Sequence, residues 1–449
     1  MSSSPIRTDI RGLIDIALPI SIGTFVQFLV LLTDNYFLAR VSEQAINGAG
    51  NAGLTYLTMG MMIFGSSTGL QILVARRHGE GNDALQIRTG RIGWVLHALI
   101  GVVLCIALLG LNQGLLGSLI ESIEVRNVFE PYLNTRLWGA IPYGSTFALT
   151  AYWTGLAKTR LLLAVSLTTA LTNLGLDYAF IEGNLGFEAM GYIGAARASL
   201  IAESIGFIVA VALMFKVEPR FFKLPNVIDG EVIKSWWRIS GPLMGQLVLT
   251  VGVWTSFFFF VEKVGSTELK VSHIGRNAFI FASIITTGIC QATRTVVSTL
   301  IGAGRNEELI STIKRLWVIA IVGVLVLTHG FILYPELIAS IFFDDPLQID
   351  MMVKTFSTLF IAVLGFSSSH ILLSTLEGAG GTKRAFAVEM LGAGSYFLCA
   401  WYLTSPIDGG FRPIEEIWKV EWVYFTFIFI GCMIALWNGR WKKGLESLS

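Results

Sequence analysis

Charge is what this sequence has least of. Asp, Glu, Lys and Arg make up 14% of its 449 residues, where a soluble domain carries about 25%. So few charges cannot cover a water-facing surface, which leaves lipid as the main solvent. Cysteine is scarce as well. Cys105, Cys290, Cys399 and Cys432 are solitary, each inside an apolar block, so neither disulfides nor a thiolate metal site is expected. No Lys/Arg run points to nucleic acid, and a net charge of +1 names no partner. The G-x-x-x-x-G-K-[S/T] loop is missing, and with it a soluble domain to hold one, which argues against ATP-driven work. No Ser/His/Asp or Cys/His grouping can be assembled, so neither enzyme chemistry nor a cofactor is expected. The opening MSSSPIRTDIRGLID lacks the short apolar stretch and small-residue cleavage site of a removed signal, so the first span is expected to remain.

Apolar residues are abundant, at 53%, and come in blocks of roughly 20 or more, enough to cross about 30 Å of hydrocarbon as a helix. The alternation of barrel strands is missing, so helices must satisfy the backbone in lipid. The blocks predict spans near 14–38, 48–74, 92–116, 134–156, 161–181, 191–215, 239–261, 273–301, 316–335, 353–376, 385–404 and 420–438. The expected fold is an all-α integral membrane protein of about twelve spans. Both termini and the loops near 75–91, 157–160, 216–238, 302–315 and 377–384 together hold 21 of the 32 basic residues. By the positive-inside rule both termini are therefore expected in the cytoplasm, which requires an even number of spans. That orientation suggests a bacterial-type inner membrane.

The chain matches itself at an offset of 223 residues. Pro19 falls on Pro242, Arg40-Val41 on Lys263-Val264, Gly79 and Gly81 on Gly302 and Gly304, and Trp94 on Trp317. Gly155, Thr159 and Arg160 of TGLAKTR fall on Gly378, Thr382 and Lys383 of EGAGGTK. The halves are read as 1–222 and 223–449, each a bundle of six spans. An even number of spans makes the repeats parallel, related by an axis along the membrane normal. Two such bundles about a central cleft suit alternating access. The glycines past the cytoplasmic helix ends are read as structural, since glycine ends a helix in the left-handed conformation.

A charge at a helix centre costs about 2.5–3.5 kcal/mol on insertion scales, so charges within spans are the best functional clues. Asp34 lies about one turn before the outer end of the first span and Asp177 about one turn before that of the fifth, with Asn173 one turn below on the same face. Arg197 and Glu203 lie in the sixth span. At the repeat offset Asp34, Asn173 and Asp177 correspond to Phe257, Tyr396 and Ala400. Carboxylates needed only to fold a bundle should recur in both. Their confinement to one half predicts a site for a proton or Na⁺ at Asp34, Asn173 and Asp177, because two acids in a pocket poor in water cannot cheaply both stay charged. The structural alternative is an Asp177–Arg197 ion pair.

In the second half Glu377 and Glu389 are read as structural partners for Arg294 or for loop cations. His97, His329 and His370 fall in different spans and are read as packed core residues, with a proton relay at His370 as the alternative. Tyr143, Phe147 and Trp153, and Trp254 with Phe257, could line a cleft for flat lipophilic cations. A lipid-facing role is the competing reading of each.

Taken together, LPISIGTFVQFLVLLTDNYFLAR, GLQILVARRHGEGN, YWTGLAKTR, NLGLDYAFIEGNLGFEAMGYIGAARAS and LEGAGGTKR resemble the multidrug and toxic compound extrusion (MATE) family of antiporters along essentially the whole chain. The resemblance implies two six-helix lobes that export cationic or amphipathic molecules in exchange for H⁺ or Na⁺. It implies cation coupling at Asp34, Asn173 and Asp177, and places Tyr132 and Ser199 where the family often has polar site residues. Many members add a seventh-helix Glu and a tenth-helix Asp; here those positions fall near Thr250 and Phe366. A monomer embedded in lipid is expected, with no nucleic-acid partner. The rival reading is a flippase for a lipid-linked oligosaccharide or another lipid, which should need a strongly basic cavity.

Overall fold

The computed structural model of the chain describes residues 6–222, 229–407, 409–437 and 441. The expected boundary between the halves at 222/223 abuts residues 223–228, which lie outside the described residues. So do Lys223, Arg440, Lys442 and Lys443 among the basic residues assigned to the cytoplasmic side.

Helices account for almost everything described: α1 (Ile10–Val41), α2 (Glu43–Gly79), α3 (Asp83–Leu111), α4 (Ile123–Leu137), α5 (Ala140–Gly155), α6 (Thr159–Phe180), α7 (Gly191–Val217), α8 (Gly230–Glu262), α9 (Ser266–Gly302), α10 (Leu309–Thr328), α11 (Gly330–Leu333), α12 (Pro335–Ala339), α13 (Pro346–Gly378), α14 (Thr382–Leu403), α15 (Ile414–Ile417) and α16 (Val420–Trp437). Several starts are set by short polar side chains that accept from backbone N–H groups the helix cannot satisfy. Ser42 does this for α2, Asn82 for α3 and Asp345 for α13, at 2.9–3.0 Å. Among the described residues, eleven helical stretches are long and apolar enough to cross a membrane. The remaining expected span, the fourth, is the succession of α4 and α5, interrupted only by Trp138 and Gly139. Leu171, Ile106, Leu391 and Ile434 are two-thirds or more exposed on the long helices. Such apolar outer faces are what lipid as solvent requires.

Two compact units emerge, one of Ile22–Met244 and one of Met1–Ser21 with Gly245–Ser449. Each takes its opening stretch of helix from the other half of the sequence. In the first unit a Cβ on Gly65 of α2 would stand 2.8 Å from Met244 Cα; in the second, a Cβ on Gly288 of α9 would stand 2.9 Å from Ser21 Cα. Both pairs of positions obey the 223-residue offset, so the repeat extends to helix packing. It extends to backbone conformation too. Gly81 and Gly304 have φ of +69° and +71°, and Ala157 takes φ +57° where its counterpart Gly380 has +89°. The core of the first unit includes Phe37, Tyr56, Phe129, Tyr132 and Leu137. That of the second includes Phe257, Phe356, Tyr396, Trp418 and Tyr424.

Candidate functional site

Within the Ile22–Met244 unit five helices bring polar side chains together. Asn173 and Asp177 sit one turn apart on α6, both buried, and the Asn173 amide donates to Ser199 Oγ of α7 at 3.3 Å. Asp34 of α1 lies beside Asp177. Tyr132 of α4 is buried and within Coulombic range of both acids. One turn on, Arg136 donates from Nη2 to Glu203 Oε1 of α7 at 3.0 Å, and its guanidinium lies 4.1 Å from the ring centroid of Tyr56 of α2. The Tyr56 hydroxyl donates to the other Glu203 oxygen at 2.9 Å. The break between α4 and α5 makes room for this: a Cβ on Gly139 would stand 2.3 Å from Glu203 Oε2.

Hydrogen bonding divides the cluster. Glu203 has a partner on each oxygen. By contrast Asp34 Oδ1, Asn173 Oδ1 and both Asp177 oxygens are buried with no hydrogen-bond partner. Buried polar atoms are ordinarily satisfied, and each that is left bare costs about 1–3 kcal/mol or more. Three carboxyls thus surround one guanidinium, and Arg136 is committed to Glu203. The aspartate pair lacks a cation of its own among the described ion pairs. On Asp34, Asn173 and Asp177 the bare atoms are all oxygens, the donors that a proton or a hard cation such as Na⁺ takes, while Arg136 Nη1 is the bare nitrogen of the cluster. Among the described residues no group of three or more His, Cys, Asp or Glu side chains is placed to hold a metal ion.

The other expected site residues scatter. Arg197 is exposed and donates to Met190 Sδ at 3.5 Å; it forms none of the described ion pairs, so the alternative Asp177–Arg197 bridge is replaced by Arg136–Glu203. Tyr143 packs against Phe147 (centroids 4.6 Å apart) and Tyr56 (5.8 Å), a half-buried aromatic run beside Glu203. Trp153 is fully enclosed, a core residue and not a cleft lining. In the second unit Phe257 is likewise enclosed, 5.0 Å from Trp418. The Trp254 indole donates to Glu421, and His370 stacks on Phe366 at 4.2 Å. Arg294 meets Glu377 at 2.5 Å, a structural pair as expected.

Arg136, Tyr56 and Glu421 were not legible as site residues. A fourth span that starts at 134 puts Arg136 at its outer edge, where it reads as an end charge, whereas the structure starts the helix at Ile123 and places it three turns in. Its polar sequence, IEVRNVFEPYLNTRL, hides it from hydropathy. The usable signal is helical spacing: Tyr132 and Arg136 stand at i and i+4.

The MatE family model matches residues 19–179 and again 242–402, the two stretches offset by the same 223 residues. Among relatives, a "Probable multidrug resistance protein NorM" of Thermotoga maritima is 26% identical over 82% of this chain and 79% of its own length. Another of that name, from Pseudomonas syringae pv. tomato, is 24% identical over 94% and 93%. Among solved structures, the outward-facing conformation of a multidrug resistance MATE family transporter of the MOP superfamily superposes with a TM-score of 0.87 at 16% identity. The match covers 99% of this chain and 97% of that one.

Proposed function

Because the chain belongs to the MatE family of multidrug and toxic compound extruders, we propose that it expels small amphipathic or cationic molecules by antiport with H⁺ or Na⁺, coupled at Asp34, Asn173 and Asp177. The observation that carries this is the set of four buried, unpartnered oxygens on those three side chains. Two carboxylates without a counter-charge, in a unit where Arg136 already serves Glu203, are favourable only when a small cation joins them. Its arrival neutralises the pocket and weakens the attraction for a positively charged substrate. Antiport requires that the two ligands prefer opposite states in this way. The halves 1–222 and 223–449 act as alternating lobes, in an inner membrane with both termini cytoplasmic.

The flippase reading is disfavoured on charge. A pyrophosphate head needs several free buried cations, and Arg136 and Arg294 are each taken up by a carboxylate, which leaves Arg76 as the buried arginine outside the described ion pairs. The test is reconstitution of the full chain into proteoliposomes with ethidium as substrate and an imposed pH or Na⁺ gradient. Gradient-driven ethidium transport is expected, lost in Asp34→Asn and in Asp177→Asn although both variants still reach the membrane. Normal transport by both single variants would sink the coupling assignment; no response to either gradient would sink antiport itself.

A further inference from the structure

At the repeat offset the second unit has no acid where Asp34 and Asp177 stand. The structure supplies one from a different helix. Tyr396, the counterpart of Asn173, donates its hydroxyl to Glu421 Oε1 at 2.9 Å, and the Trp254 indole N–H reaches the same oxygen at 3.2 Å. Glu421 falls at the offset on Ala198, the neighbour of the Ser199 that accepts from Asn173. The α14–α16 pair therefore holds its carboxyl beside the position where α6 and α7 join Asn173 to Ser199.

A second acid lies close by. Glu389 of α14 is 1% exposed and Glu421 2%. Glu389 Oε1 accepts from the Tyr424 hydroxyl and lies 2.7 Å from Thr250 Oγ1, while its Oε2 is buried with no partner. Thr250 Oγ1 also lies 2.9 Å from the Gln246 carbonyl oxygen. The Thr250 hydroxyl has one hydrogen to share between those two acceptors, so Glu389 is held only by neutral hydroxyls and keeps Oε2 open to a proton. The rings of Tyr424 and Tyr396 meet edge to face at 5.5 Å, which leaves the two acids at either end of a tyrosine pair. Glu377 differs from both: it has Arg294 on one oxygen and the Gln246 amide on the other. Neither Glu389 nor Glu421 has a basic partner among the described ion pairs. The titratable groups facing the pair are Glu377 of α13, Tyr396 and Cys399 of α14, and Tyr424 and Cys432 of α16.

We propose that Glu389 and Glu421 form a second proton-binding site, separate from the Asp34–Asp177 pair, that loads and unloads protons during the antiport cycle; this rests on the antiport reading above. A metal ion is the wrong occupant. O–H and N–H donors point at Oε1 of both acids and would repel a cation there, whereas a proton needs only one free oxygen.

The test is infrared difference spectroscopy of the purified full chain between alkaline and acidic buffer, following the carbonyl band of protonated carboxylic acids and its shift in heavy water. Part of the band is expected to vanish in Glu389→Gln and another part in Glu421→Gln, and both parts to persist in the Asp34→Asn, Asp177→Asn double variant. Glu389→Asp and Glu421→Asp should keep their band at a shifted frequency, which serves if a glutamine variant does not fold. An unchanged band in either glutamine variant, or no pH-dependent acid band beyond that of the aspartates, overturns the proposal. Ethidium transport by the wild-type liposomes is scored separately, so failure of antiport is not confused with failure of the second site.

Discussion

Replacing Arg136 by leucine removes the guanidinium from a pair whose side chains are 14% and 12% exposed and whose N–O distance is 3.0 Å. Glu203 would keep one hydrogen bond, from Tyr56. Stranding one member of a buried pair typically costs 3–5 kcal/mol, and loss of the stack on Tyr56 adds about 1 kcal/mol. For a cooperative unit of this size each kcal/mol moves the melting temperature by about 2–4 °C, so a fall of roughly 8–24 °C is expected. The Arg136→Leu, Glu203→Leu double variant exposes no such charge and should recover most of that fall, because apolar replacement of both partners is often close to neutral. Cysteine placement makes the measurement specific. Cys105 is the buried thiol of the Ile22–Met244 unit, and Cys290, Cys399 and Cys432 belong to the other. With those three changed to alanine, a thiol-reactive dye reports melting around Cys105 alone. If the single variant melts within a few degrees of its background, or the double variant melts lower still, Arg136 is not committed to Glu203. The argument that the aspartates lack a cation then fails.

Two smaller perturbations probe the same unit. Gly139→Ala forces a methyl to 2.3 Å from Glu203 Oε2, which must push that carboxylate off its partners. A loss of about 1–3 kcal/mol is expected, and it should shrink in a Glu203→Leu background; equal losses in both would place the strain elsewhere. Ala157→Gly relieves a non-glycine residue held at φ +57° and should raise the thermal midpoint by the equivalent of up to about 1 kcal/mol, with no change in ethidium transport. A lower midpoint would mean that the alanine methyl contributes more packing than its backbone costs.

The helical membrane fold was readable because the constraint behind it is severe. Lipid offers the backbone no partner, so spans form as helices, and those that face lipid are apolar blocks that announce themselves. The repeat was readable because glycines at tight turns and close approaches are hard to replace. A Cβ on Gly155 would stand 2.9 Å from the Gln71 carbonyl oxygen and one on Gly378 2.9 Å from that of Arg294, again at the common offset. The fourth span was less legible, since α4 carries Glu124, Arg126, Glu130 and Arg136, and the inward turn of Arg136 toward Glu203 shows only in the packed helix. Asp34, Asn173 and Asp177 could be singled out because charge in a span is costly wherever it occurs. Which cation met which acid could not be. Arg136 and Arg197 both precede Glu203 in the chain, and only the packing of α4 against α7 assigns the pair to Arg136.

The comparison of halves has a further consequence. Offset matching asks whether a residue recurs at a position, yet a pocket is a volume bounded by several helices and can draw the same group from any of them. Phe257 and Ala400 replace the two aspartates, and by position the second unit has lost its acid. Tyr396 nevertheless reaches a carboxylate, Glu421, from the helix that supplies Ser199 in the first unit. A phenol is longer than the amide it replaces and carries an O–H donor, so its acceptor must stand farther away, on the neighbouring helix. The first unit leaves its acid oxygens bare and open to a cation, while the second points donors at its own. The halves therefore share an architecture and differ in how they hold their buried acids, with bare oxygens on Asp34 and Asp177 and hydroxyl or indole donors on Glu389 and Glu421.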